Sequence, residues 1–568
     1  MFVSKHGRVL TFICAVLAAA CAAPTGPGAM TTGADRQPVA RKTMTAVMMS
    51  TPAQLASGNL HVASTPTWQG GDELEELVNA GLTTADQNGR RLPLLAQAVP
   101  AVENGLWKVF PDGTIETTWK IRDRASWHDG TPFTSEDLIF TAALYQTDEL
   151  PLVERPLRFT QAIEAPDAHT IVVKWKQTYI AADQLFHTVR PKHVMEKAFS
   201  EDKQEVLRLP YWTSEYVGTG AFKVRDWVDG SHIVLEAYDS YILGRPSIDQ
   251  ITVKFSPDPR AVAARILAGD VDLTLGRNLS LQEAMQVRET WREGAIEVGY
   301  ENWIALFPQF MNPTPQAMLE LPFRRALMHA LDRQQLVDVL QFGMVPVAHT
   351  WVSPTEAAYR EVEPGIVKYD FDPRRARQLI ETLGFTAGPD GLLRDPGGQT
   401  LALEIRTSGG DNTHEGAIIT AADDLRRVGI AAEPVILPDA RRNDRAFQQT
   451  FPALRLWRNA NNLWTLDRYH STNAGTPENN FRQTSNYARY ANPAFDALID
   501  RYLVTINVQE RTRLLGQIVQ HQTEQLTVMG LFYNTEPHAV SNRLKNVTSK
   551  TTPDASHVWN VHQWELAS

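Results

Sequence analysis

Residues able to support hydrolytic or nucleophilic chemistry occur along this chain, but never as a complete set. His414-Glu415 opens the H-E-x-x-H pattern that puts two zinc ligands and a general base on one helix face, yet Ile418 stands where the second histidine would be. Gly218-Thr219-Gly220 starts like a phosphate loop. Lys223 takes the place of the third glycine, and the alternation that follows predicts a strand, so no helix N-terminus would gather its amides around a phosphate. There is no G-x-S-x-G elbow and no G-x-x-x-x-G-K-[ST] loop. The two cysteines, Cys14 and Cys21, sit near the N-terminus and leave the rest of the chain without a thiol nucleophile, disulfide or cysteine metal site. The 15 histidines are scattered, and the adjacent Asp423 and Asp424 read as a solvated helix face. The chain is therefore expected to be a binder and not an enzyme, with no catalytic residues, no cofactor and no metal.

The elements that would position a binding site are legible. Along Leu106–Tyr145, Ile115, Thr117, Trp119 and Ile121 alternate with Glu116, Thr118, Lys120 and Arg122, the period of a half-buried strand. Asp129-Gly130 supplies a tight turn, and Thr134 with Asp137 predicts a capping box ahead of the apolar stripe Leu138, Ile139, Ala142. Further helices are predicted at 73–79, after Asp258-Pro259, after Asp332 (with Gln335 as its capping partner), after Asp372-Pro373, over 415–427, after Asn492-Pro493 and over 511–526. Strands are predicted between them, at 43–49, at 430–436 and, two or three of them, in the 211–275 block ahead of its Asp258-Pro259 helix. Alternating strands and helices favour α/β layers, and 568 residues exceed what one core comfortably supports, so two or three structural units are expected. The balance of 55 basic and 65 acidic residues gives a net charge of -10, which argues against nucleic acid as a partner.

The N-terminus reads as a targeting segment. Lys5 and Arg8 precede an apolar run from Val9 to Leu17, then Ala18, Ala19 and Ala20 lead into Cys21. That order is similar to a lipobox, although the usual leucine falls one residue early, at Leu17. It implies a lipid-modified Cys21 holding the protein to a membrane in the cell envelope, with 22–41, rich in Ala, Pro, Thr and Gly, as a flexible tether. Secretion with cleavage near Ala20 or Ala23 is the alternative.

Three blocks together resemble one family. They are Trp107-x-x-x-x-Asp112-Gly113 followed by WKIRD and WHDGTPFTSEDLIF; then Gly218-Thr219-Gly220-Ala221-Phe222 with Asp239-Ser240-Tyr241-Ile242-Leu243-Gly244-Arg245-Pro246; and then FRRALMHALDRQQLV with the Asp372-Pro373 helix. This resembles the family 5 solute-binding proteins of bacterial ABC transporters. The resemblance implies a two-lobed, periplasmic-binding-protein-like α/β fold with an extra subdomain inserted in the first lobe. On this chain it implies lobe I over 42–84 and 206–298, the insertion over 85–205, lobe II over 299–530, and a return to lobe I over 531–568. It also implies a monomer that captures a small solute, peptide-like, opine or oligosaccharide, and passes it to a membrane permease. An envelope hydrolase or chaperone on the same scaffold is the competing class.

By the same resemblance, a Trp-x-x-Asp segment supplies the aspartate that holds a peptide's amino terminus in peptide-binding members. The matching stretch here keeps Trp457 but has Ala460 in the aspartate's place, with Arg455 and Arg458 nearby. Losing that carboxylate removes a charge-assisted bond worth about 1.5–3 kcal/mol to an ammonium group. The expected ligand contacts are Trp457, Arg455, Arg458, Asn459, Asn461 and Asn462. Trp68, in a loop that faces the cleft in the family, and Arg445 are additional candidates. The asparagines both donate and accept, and arginine can fork onto a carboxylate while stacking on a ring.

Overall fold

In the computed structural model the predicted strand forms over Ile115–Lys120, with Ile115, Thr117 and Trp119 buried. Gly130 takes φ 89° in the turn, and the Ser135–Gln146 helix carries both bonds of the Thr134–Asp137 capping box. This helix buries more than one stripe, because it lies between the four-stranded sheet of 107–109, 115–120, 160–167 and 170–175 on one side and the 192–201 helix on the other. The structure describes residues 41–49, 51–55, 70–147, 149–150, 152, 154–438, 441, 444–481, 486–550, 552 and 555–567. Cys21, the 22–40 stretch of the tether and Trp68 lie outside them. The chain divides into two units, Met1–Arg41 and Lys42–Ser568, and the sheets and cores belong to the second.

Ten strands form its main sheet: β1 (Thr43–Met48), β2 (Phe222–Val228), β3 (His232–Ala237), β4 (Gln250–Phe255), β5 (Leu273–Thr274), β6 (Gly294–Pro308), β7 (Ala402–Ser408), β8 (Ala431–Leu437), β9 (Leu454–Ala460) and β10 (Met529–Ser541). Their spatial order is β8-β7-β9-β6-β10-β5-β1-β4-β3-β2. β1 pairs in parallel with β4 and β5, and β7 in parallel with β8 and β9; the 259–267 and 412–427 helices provide crossovers of the kind parallel strands require. β6 and β10 run antiparallel through the middle. Their ladder breaks between Gly299 and Asn302, opposite Glu536 and Asn534. Such an irregularity interrupts pairing and bends the strands.

Two cores lie on either side of that break. One gathers Met44, Ala46, Trp119, Trp127 and Trp564. The other gathers Trp303 to Phe307, Ile418, Leu456 and Met529 with Leu531 to Tyr533. This is the two-lobed α/β arrangement. The chain passes between lobes at 299–302 on β6 and at 534–536 on β10. Because β10 is one uninterrupted strand, it still serves the lobe II core at Tyr533, slightly beyond the predicted return at 531. The 107–175 sheet shares its core with lobe I.

The sequence blocks meet physically inside lobe I. His128 donates its backbone N–H to Gly218 O at 2.8 Å, its Nδ1 accepts from Gly218 N at 3.1 Å, and its Nε2 lies 3.1 Å from Gly220 O. Gly218 and Gly220 are glycines because the backbone of Val78 and Asn79, at the end of the 71–78 helix, occupies the space a Cβ would need. The Gly-Thr-Gly loop is thus a packing device.

Candidate functional site

The carboxyl ends of the parallel strands in the two lobes face each other, the edge at which open α/β sheets hold ligands. After β5 the chain continues through Arg277, and after β7 it continues through Gly409 and Gly410 to Asp411. Arg277 lies 3.9 Å from Asp411 Oδ2 and 3.5 Å from Glu536 Oε1 on the crossing strand. The lobes are therefore closed on each other here. Asp411 caps the 412–427 helix, accepting from Thr413 N and His414 N, and its Oδ2 takes a 2.8 Å bond from Arg458.

β9 supplies one wall. Its apolar residues Leu454 and Leu456 enter the lobe II core, and Arg455, Trp457 and Asn459 alternate with them. Arg455 is only 4% exposed. Its guanidinium lies 4.6 Å from the Trp457 ring centroid and 4.8 Å from that of Tyr487, and it donates to Gln448 O at 2.7 Å. Among the described residues no carboxylate pairs with it. Burial pulls its pKa down to about 10, with Tyr487 acting in the opposite direction and Arg406 in the same one. It nonetheless stays cationic at neutral pH. His414 stands 6.3 Å from Trp457, ring to ring. Burial lowers its pKa, Asp411 raises it, and Arg277 and Arg455 lower it further.

Several buried polar atoms at this wall have no hydrogen-bond partner among the described residues. Asn461 is fully buried with neither Oδ1 nor Nδ2 engaged, and Asn459 Nδ2 and Arg458 Nε are in the same position. Each such atom left without water or another partner costs on the order of 1–3 kcal/mol, so a cluster of them makes this wall a candidate contact surface for a ligand or ordered water. Asn462 and Trp457 are half-buried beside them. Arg445 is exposed at the start of a short helix, Arg445–Gln449, unlike its buried neighbours Gln448 and Gln449. Sequence reasoning missed Arg277, Asp411 and Tyr487, and weighed His414 only as half of a zinc motif. Asp411 alone carried a signal, as an N-cap residue four positions before the predicted helix start. The others are brought in by the closing of the lobes and by long-range packing. A hollow of about 740 Å³ on lobe I, lined by Arg122, Asp123, Arg124, Asp239 and Tyr241 among others, is open and lies away from these groups, so the site is assigned to the cleft.

Known proteins share this architecture. A family model described as bacterial extracellular solute-binding proteins, family 5 Middle, matches residues 97–480. The oligopeptide-binding protein AppA of Bacillus subtilis is 22% identical over 505 residues, covering 87% of each chain. The solved structure of NikZ from Campylobacter jejuni in complex with Ni(L-His) superposes with a TM-score of 0.74 at 19% identity, covering 92% of this chain and 99% of that one. A periplasmic EDTA-binding protein, EppA, gives 0.77 at 14% identity over 93% and 97% of the two chains.

Proposed function

The chain belongs to the bacterial extracellular solute-binding proteins of family 5, and on that premise we propose that its cleft captures a small solute bearing a carboxylate or similar anionic group. The protein is the solute-binding receptor of an ABC import system, acting outside the cytoplasm and passing its ligand to a membrane permease. The observation that carries the anionic reading is Arg455, a buried guanidinium stacked between Trp457 and Tyr487 with no carboxylate to pair with. An anion in the cleft would complete it, with Arg458 as a second donor and Asn459, Asn461 and Asn462 as amide contacts. Ala460, half-buried beside them, offers no charge to an ammonium group. EppA, whose name assigns it a polycarboxylate, supports the same direction. Trp68, outside the described residues, remains a stacking candidate by the family resemblance.

The rest of the reading is that the chain works as a monomer without catalysis, tethered through a lipid on Cys21. The lysine and arginine, apolar run and small residues ahead of Cys21 support the anchor. The test is a thermal-shift screen of peptides, oligosaccharides, opines, metal chelates and polycarboxylates, followed by calorimetry of the hits. Stabilisation by anionic solutes and weak binding of free di- and tripeptides is the expected result. Tight binding of an unmodified dipeptide, or turnover of a compound that does not stabilise the fold, would defeat it.

A further inference from the structure

Two histidines of the C-terminal region, His538 and His557, meet within lobe I. The rings of His538 on β10 and His557 in the C-terminal segment are 3.6 Å apart between centroids. Glu73 of the Gly71–Val78 helix joins them, and one ligand atom from each of the three lies within 4.8 Å of the others. All three side chains are buried. We propose that Glu73, His538 and His557 form a site for a divalent first-row ion of the zinc type, structural in role and independent of the cleft ligand.

Two imidazoles and a carboxylate are a borderline donor set, suited to zinc or nickel over calcium or magnesium, and a tetrahedral ion sets its donors roughly 3.3 Å apart, to be compared with the 4.8 Å within which these three atoms lie. The surroundings orient the donors. Gly276 N donates to Glu73 Oε2, fixing that carboxylate as outer-shell bonds do at metal sites. Glu297 stands directly opposite His538 in the β6–β10 ladder and interacts electrostatically with that ring. The segment carrying His557 is docked on the same helix through Ser556, which bonds the Glu76 side chain. A bound ion would join three elements: the 71–78 helix, the crossing strand just past its break, and the returning C-terminus. It would stiffen the lobe I side of the hinge, while the Glu73–Gly276 contact leads on to Arg277 in the cleft.

The experiment uses the full chain stripped of metal on a chelating resin, since a soluble polycarboxylate chelator could itself occupy the cleft. Calorimetric titration with Zn²⁺ should give one site per chain, Co²⁺ should give visible d–d absorption, and Zn²⁺ should raise Tm, with Mg²⁺ and Ca²⁺ giving none of these. His538→Ala and His557→Ala should each weaken Zn²⁺ binding ~100-fold and abolish the Tm response. Glu73→Gln, which preserves shape, should weaken it in the same direction and keeps the test valid if an alanine variant fails to fold. His470→Ala, at a histidine near Asp496 and Asp500 elsewhere on the molecule, should bind as the unmodified chain does. Absence of one-to-one binding by the unmodified protein, or unchanged affinity in both His538→Ala and Glu73→Gln, would overturn the proposal.

Discussion

Arg190 in lobe I and Arg455 in lobe II are both buried arginines, and they are treated in opposite ways. Arg190 bonds Glu75 at 2.8 Å, Tyr145 at 3.0 Å and Tyr216 at 3.2 Å, and lies 5.1 Å from the Trp212 ring centroid. The tyrosines and Glu75 around it outweigh burial and raise its pKa. Arg455 has one backbone acceptor and two aromatic faces, and burial lowers its pKa to about 10. A charge removed from water is normally compensated where it sits. Lobe I follows that rule; the cleft wall of lobe II does not, and Asn461 repeats the exception. The contrast separates residues paired within the fold from residues that the proposed anionic ligand would complete.

The largest expected effect lies on the satisfied side. Arg190→Ala removes the cation that pairs with buried Glu75, and should cost about 3–5 kcal/mol of stability, read from the urea midpoint at unchanged m. A cost below about 1 kcal/mol would mean that the network is ornamental.

Next comes the histidine that ties the lobe I motifs together. Burial pushes His128 down to about 4, with the Gly220 carbonyl pulling it back up. Its folded pKa is below its unfolded value near 6.5, so between these two the unfolded chain binds a proton that the native chain refuses. Its stabilising contribution is complete above pH ~6.5 and is lost as pH falls toward 4, at most about 3 kcal/mol for this residue. His187, also lowered to about 4 by burial and Arg91, adds to the same window. Denaturation midpoints across this range should fall with acid, and His128→Gln should flatten part of the slope; parallel curves for both proteins would remove His128 from the account.

On the unsatisfied side, Arg455→Ala should weaken an anionic ligand by about 2 kcal/mol while changing the stability of the free protein by less than Arg190→Ala does. The smallest effect is expected from Asn461→Leu. Affinity should drop by about 1 kcal/mol, and stability should stay level or rise, because a buried amide without a hydrogen-bond partner among the described residues is replaced by an apolar side chain of similar size. A stability loss comparable to that of Arg190→Ala in either variant would erase the distinction between the regions.

The same contrast explains what the sequence could tell. Lobe I is built from local signals: Thr134 and Asp137 cap the helix they precede, Asp258-Pro259 begins another, and the 115–120 strand alternates as its burial does. Trp457, Arg455 and Arg458 were legible because they share one strand with the altered Ala460. Tyr487 and Arg277 were not, since each reaches the cleft through tertiary packing of a separate loop and neither has a local pattern that announces it; Asp411 announced only its role as a helix cap. The role of Gly218 and Gly220 was half legible. Refusing a phosphate loop followed from the strand after them, but their need to pack on Val78 and Asn79 appears only in the fold.

The central claim is that Arg455 awaits an anion. The most direct measurement is calorimetry with a matched pair, the best acidic ligand and its primary amide, on the unmodified protein and on Arg455→Ala. The acid should bind the unmodified protein ~30-fold more tightly than the amide, equivalent to about 2 kcal/mol, and the gap should close in the variant. Equal affinities for acid and amide in the unmodified protein, or a gap that survives in Arg455→Ala, would contradict it.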